Sequence, residues 1–153
     1  MSHPRRVADL TDHVGYWLRF VSNHVSQAFA RKVEASGVTV AEWVLMRQLL
    51  DVDARSPSRL AERMGTTRGT ISKLADRLLA KSLLQRTAAP DDGRAQILAL
   101  TAKGRALVPK LAALADQNDA EFFEHLSAKD REHLLRTLQE IVTRAGLTSL
   151  PVD

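Results

Sequence analysis

Six residues between positions 66 and 77 carry the chemistry of a polyanion contact: Thr66, Arg68, Gly69, Thr70, Lys73 and Arg77. Guanidinium and ammonium groups donate to phosphate oxygens and to the O6/N7 edge of guanine, and threonine hydroxyls reach either. A glycine lets backbone approach a sugar–phosphate edge. Between them stand Ile71, Leu74, Ala75 and Leu78. At about 100° per residue these apolar positions form one helical stripe and the polar set falls on the other side. A helix so divided can enter a major groove, its N-terminal residues leading. Further on, Pro90-Asp-Asp-Gly-Arg94 puts a guanidinium on a tight turn. Arg94 there suits the concentrated negative potential of a narrow minor groove, with Asp92 placed to hold it. Taken singly, each piece also reads as an ordinary solvated helix face or a plain Asp-Gly turn.

The elements around these residues give them a context. Ser56-Pro57 has the form of an N-cap followed by proline at the first helical position, opening a short helix with Leu60, Ala61 and Met64 that stops at Gly65. Thr66 or Thr67 caps the next helix, so Gly65-Thr-Thr67 reads as the turn of a helix-turn-helix. After Leu83-Leu84 the period changes. Leu84-Gln-Arg86 and Gln96-Ile-Leu98-Ala-Leu100 read as short strands around the Asp91-Asp-Gly93 turn, the wing of a winged helix. Upstream, Thr39-Val-Ala-Glu42 has the form of a reciprocal capping box, starting a helix to about Leu50, and Asp51 to Arg55 reads as a polar connection.

Charge follows the same division. Residues 55–105 hold eleven basic residues against four acidic ones, a local excess of seven within a net charge of +4, which leaves the remainder at −3. A basic middle between mildly acidic flanks suggests one face for a polyanion and another task for the ends. Those ends are helical: Leu10, Val14, Trp17, Leu18, Val21, Val25, Ala28 and Phe29 in the first helix; Leu107, Leu111, Leu114 and Phe122 after a Thr101 cap; and Leu134, Leu138, Ile141, Val142 and Ala145 after a Ser127 cap. They are too long and apolar merely to brace a small winged helix, which points to a two-fold interface between copies of the chain. The expected fold is mainly α with a small β-hairpin wing: one domain over 1–153, with a winged helix-turn-helix lobe at 37–101 flanked by dimerisation helices at 8–36 and 102–147.

Other function classes find little support. The absence of cysteine among 153 residues excludes disulfides, thiolate metal sites and thiol sensors. There is no glycine-rich phosphate loop, no His-Glu-x-x-His and no nucleophile in a recognisable setting, so no enzyme, metal or cofactor is expected. His125 and His133 lie two turns apart without an acidic partner. No apolar run approaches the roughly 18 residues of a membrane span, and Met1 to Arg6 leads into mixed polar sequence, so a cytoplasmic protein without membrane contact is expected.

Four segments resemble the multiple-antibiotic-resistance regulator (MarR) family: Leu60-Ala-Glu-Arg-Met-Gly65, Leu83-Leu-Gln-Arg86, Asp92-Gly-Arg94 and Leu100-Thr101-Ala-Lys-Gly104. The Asp-x-Arg-x5-Leu-Thr-x-x-Gly spacing is the specific part. The resemblance spans nearly the whole chain and implies a homodimeric, double-stranded-DNA-binding transcriptional regulator, a repressor reading a pseudo-palindromic operator. On it, Arg68, Thr70 and Lys73 fall at base- and phosphate-contacting positions and Arg94 at the wing tip. It also implies a small, often aromatic anionic effector between the DNA-binding lobe and the dimer helices, where this chain carries His13, Trp17, Phe20 and His24 on the first helix and Trp43, Met46 and Arg47 on the second. The alternative is a helical protein–protein adaptor that has kept the fold and lost DNA binding; the outward Arg68, Lys73 and Arg77 argue against it.

Overall fold

A computed structural model describes residues 6–89 and 92–147, with backbone alone for 92–95. A 3₁₀ turn at Leu10–Asp12 leads into α1 (Val14–Glu34), followed by α2 (Val40–Arg47), α3 (Pro57–Met64) and α4 (Arg68–Ala80). Strands β1 (Leu84–Ala89) and β2 (Asp92–Leu100) pair antiparallel, and α5 (Ala102–Phe123) and α6 (Ala128–Arg144) complete the chain. The expected class, mainly helical with one hairpin, is the observed one.

Caps set the helix starts. The hydroxyls of Ser56, Thr67, Thr101 and Ser127 each accept the amide three residues on, satisfying a donor the first turn leaves over. Gly65 ends α3 at φ 64°, a left-handed conformation that glycine adopts without strain. At Thr39 the capping box forms by half. The Thr39 hydroxyl accepts the Glu42 amide at 3.2 Å, but the Glu42 carboxylate turns away and takes the Lys81 ammonium at 2.7 Å. The reason is burial: Glu42 is 1 % exposed, and a buried carboxylate needs a charged partner more than a cap needs its second bond.

The core gathers α2, α3, α4, the base of the hairpin and the first half of α5. Leu45, Met46, Leu49, Leu60, Ile71, Leu78, Leu98, Val108 and Leu111 are fully enclosed. All four residues of the expected α4 stripe, Ile71, Leu74, Ala75 and Leu78, are buried in it. The strands run longer than the apolar pattern indicated, because cross-strand backbone bonds continue past the last core residue, with a register shift between Ala88 and Ala89. The 51–55 connection also does more than expected. Arg55 bridges to Leu98 through two backbone hydrogen bonds, 2.9 and 2.8 Å, adding a third edge to the wing.

The Leu-Thr-x-x-Gly segment has a structural explanation. Thr101 donates its amide to Leu83 O and its hydroxyl to Ser82 O, pinning the start of α5 to the turn after α4. The approach is so close that a Cβ on Gly104 would collide with the Leu83 carbonyl oxygen, which is why glycine stands there.

The two ends of the chain are different in kind. No residue of α6 is buried, and Leu134, Leu138, Ile141 and Val142 lie 36–47 % exposed along it. On α1 only Val33 is buried, while Val14, Trp17, Leu18, Phe20 and Val21 are open. Lys32 clamps the far half of α1 to α5, donating to Asn118 Oδ1 and Glu121 Oε2. That contact holds the Glu121 carboxyl below its usual range, as the Arg47 guanidinium does for Asp51. Among the described residues, no helix is long and apolar enough to cross a membrane.

Candidate nucleic-acid interface

Helix α4 presents its polar side as the residue spacing requires. Arg68, Gly69, Lys73 and Arg77 are exposed, and Thr66 and Thr70 are half-buried at its N-terminal end. Thr67 shapes that end twice over, accepting the Thr70 amide at 3.2 Å and donating to the Thr70 hydroxyl at 3.1 Å. The unpaired amides of the first turn and the positive end of the helix dipole therefore sit beside Arg68, a suitable seat for a phosphate. Gly69 has no steric reason within the chain to be glycine, since an added Cβ would meet only Thr67 Oγ1, at an ordinary 3.8 Å. Its missing side chain leaves the outer surface open to close approach.

The positive charge of this region is largely committed to holding the fold. The Arg55 guanidinium donates to Gln48 O, Arg63 to Gln48 Oε1, and Arg105 to both Leu50 O and Val52 O. Arg59 pairs with Glu62, Lys81 with Glu42 and Arg86 with Asp76, and Lys103 donates to Lys81 O. Of this segment's cations with described side chains, this leaves Arg68, Lys73 and Arg77 with neither an ion pair nor a side-chain hydrogen bond. All three belong to the outer face of α4. The net excess of seven persists, but its unengaged side chains form one three-residue stripe, directed at solvent from one helix. Arg94 and Asp92 lie on β2, but their side chains fall outside the described residues.

Several supporting residues gave no sign in the sequence. Gln48, Arg55 and Arg105 hold the turn before α3, and Asp76 ties α4 to β1 through Arg86 at 2.8 Å. These partners stand 7 to 55 residues apart along the chain, beyond any local pattern.

The seven residues considered for an effector pocket do not act as one group. Met46 and Trp43 belong to the hydrophobic core, at 0 and 9 % exposure. Arg47 is held on the surface by Asp51 at 2.8 Å. His13, Trp17, Phe20 and His24 are exposed on or just before α1, where Trp17, Phe20 and His24 follow one another at ring separations of 6.3 and 5.0 Å. The resemblance placed Trp43 and Met46 beside an effector, whereas α2 turns both into the core.

Comparison with known proteins agrees with this geometry. A family model described as MarR family matches residues 36–95, from the turn before α2 to the wing. NicR, an HTH-type transcriptional repressor of Pseudomonas putida, is 27 % identical over 134 residues, covering 88 % of this chain and 85 % of that protein. A structure of BpsR from Bordetella bronchiseptica, described with the regulation of its DNA binding by 6-hydroxynicotinic acid, superposes with a TM-score of 0.76. It is 26 % identical over 88 % of this chain and 96 % of that one. The crystal structure of CouR from Rhodococcus jostii bound to p-coumaroyl-CoA gives the same TM-score and identity over 88 % and 95 %.

Proposed function

We infer that the chain belongs to the MarR family, whose model matches residues 36–95, and that it is a sequence-specific transcriptional regulator binding double-stranded DNA as a homodimer. One observation carries the reading: Arg68, Lys73 and Arg77, the cations of the basic segment that make neither an ion pair nor a side-chain hydrogen bond among the described residues, line up on the outer side of the second helix of a helix-turn-helix. With Thr66, Gly69 and Thr70 they are assigned to the major groove, Arg94 to the minor groove, and Asp92 to the support of Arg94. The lobe at 37–101 then binds DNA while 8–36 and 102–147 join two copies. The exposed apolar stripes of α1 and α6 support that division, since such faces are ordinarily covered by a partner. Two α4 helices about 34 Å apart read a pseudo-palindromic operator from successive turns of one side of the duplex.

The regulator acts in the cytoplasm as a repressor, and a small molecule lifts repression. The relatives named above support this: one is a repressor, another has its DNA binding regulated by a small acid, and a third is bound to an acyl-CoA. Selecting bound sequences from a random duplex pool tests the reading. The expected product is an inverted repeat with half-sites one helical turn apart; recovery of no enriched duplex would overturn it.

A further inference from the structure

The side of α4 assigned to DNA also carries an acid. At about 100° per residue, the buried Ile71, Leu74, Ala75 and Leu78 fix the inward direction of the helix. Asp76 and Lys73 then fall about 30° to either side of the outward direction, and both are exposed. A carboxylate in that place repels the phosphates the face has to meet. It also stands beside a cation the face needs. Residues three or four apart are neighbours on a helix, which gives Asp76 the company of Ser72, Lys73, Leu79 and Ala80. Lys73 is the charged member of that set. Adjacent Arg77 points another way, as neighbours in sequence do on a helix.

Within α4, then, the partner on offer to Asp76 is Lys73, and the structure gives it another. Arg86 reaches over from β1 and donates Nη2 to Asp76 Oδ1 at 2.8 Å. Its strand is held firmly, since Arg86 lies in register opposite Leu98, a fully enclosed residue. Two physical reasons favour this partner. A planar guanidinium gives up less freedom per hydrogen bond than an ammonium on a flexible stem, and a cation on the N-terminal side of an acid is the poorer helical order. Lys73 is left without an ion pair among the described residues. We propose that Arg86 is a positioning residue for DNA binding: by occupying Asp76 it keeps the Lys73 ammonium available to the duplex. Without Arg86, an unpaired acid next to Lys73 offsets that cation, and a two-fold dimer suffers the loss at both half-sites. The consequence for DNA rests on the DNA-binding reading; the exchange of partners on α4 does not.

The test measures binding of the full chain to its selected duplex across a salt series. Arg86→Gln should weaken binding about tenfold or more at low salt and flatten the dependence of log K on log salt by about 1.8, one cation per half-site. Adding Asp76→Asn should restore both, and Asp76→Asn alone should not weaken binding. In a Lys73→Ala background, Arg86→Gln should leave the slope where it is. Arg86→Met, of similar length, replaces Arg86→Gln if that variant does not fold. Three results would overturn the proposal. Failure of Asp76→Asn to restore binding makes Arg86 itself the DNA contact. Equal weakening by Asp76→Asn alone makes the pair a brace for the wing or Asp76 a base reader. An undiminished effect of Arg86→Gln without Lys73 makes the loss one of net charge. A second measurement needs no DNA: the Lys73 Cε–Hε NMR signal should move on Arg86→Gln and return when Asp76→Asn is added, and a signal that stays put refutes the exchange. A native protein that binds no duplex would sink the DNA reading, while the lysine signal still decides which partner Asp76 takes.

Discussion

Lys73→Ala isolates the electrostatics of the α4 face. The side chain is exposed and makes no ion pair among the described residues, so removing it should leave the unfolding curve where it was. On DNA the effect doubles, because a two-fold dimer loses the same contact at both half-sites. Each phosphate neutralised contributes about 0.9 to the slope of log K against log salt, so the variant should be shallower by about 1.8. Over a fourfold rise in salt, from about 50 to about 200 mM, the variant should therefore lose about twelvefold less affinity than the native protein. Fluorescence anisotropy with a labelled operator across a salt series measures both slopes. Arg105→Gln supplies the matching control. It removes the same formal charge, but this guanidinium holds Leu50 O and Val52 O at 3.0 and 2.9 Å. It should cost about 1–2 kcal/mol of folding stability and leave the slope alone. An unchanged slope for Lys73→Ala, together with an altered one for Arg105→Gln, would place the DNA contact elsewhere and refute the assignment.

Gly69→Ala should stabilise the fold by about 0.5–1 kcal/mol in urea titration, since its Cβ meets no obstacle, yet weaken operator binding where the backbone must approach a phosphate. Unchanged operator affinity would remove Gly69 from the contact surface. Ile141→Glu, on the exposed stripe of α6, should shift the dimer to monomer in sedimentation velocity while the lobe keeps its thermal transition; a persisting dimer would move the interface off α6. Gly104→Ala should destabilise by about 1–3 kcal/mol in denaturant, because its Cβ has to displace the Leu83 carbonyl. The Glu121 carboxyl is held low by the hydrogen bond from Lys32, so its contribution to stability is present above the ordinary glutamate pKa and fades as pH falls through the lowered one. Glu121→Gln should flatten the stability–pH curve on that acid side alone; a curve parallel to the native protein's there would contradict the contact.

Local chemistry was legible from the residues. Ser56-Pro57, Gly65, Thr101 and Ser127 announce their roles because a cap is made between residues three or four apart, and the α4 stripe is legible because helical geometry converts spacing into a face. Glu42 shows where that kind of inference ends. Its spacing from Thr39 fits a capping box, but burial and Lys81, 39 residues away, redirect the carboxylate. Trp43 and Met46 show the same limit, since an apolar period does not say whether it faces a core or a ligand.

The amino-acid order alone determined the winged helix-turn-helix, the outer face of α4 and the surplus of positive charge around it. Only the tertiary structure decided which of those charges are at liberty. Arg55, Arg63 and Arg105 are consumed by carbonyl and amide oxygens, Arg59, Lys81 and Arg86 by carboxylates, and Arg68, Lys73 and Arg77 remain on one helix face. The physical reason is that charge is counted along a chain, while its pairing is a matter of distances of a few ångströms between segments that only folding brings together.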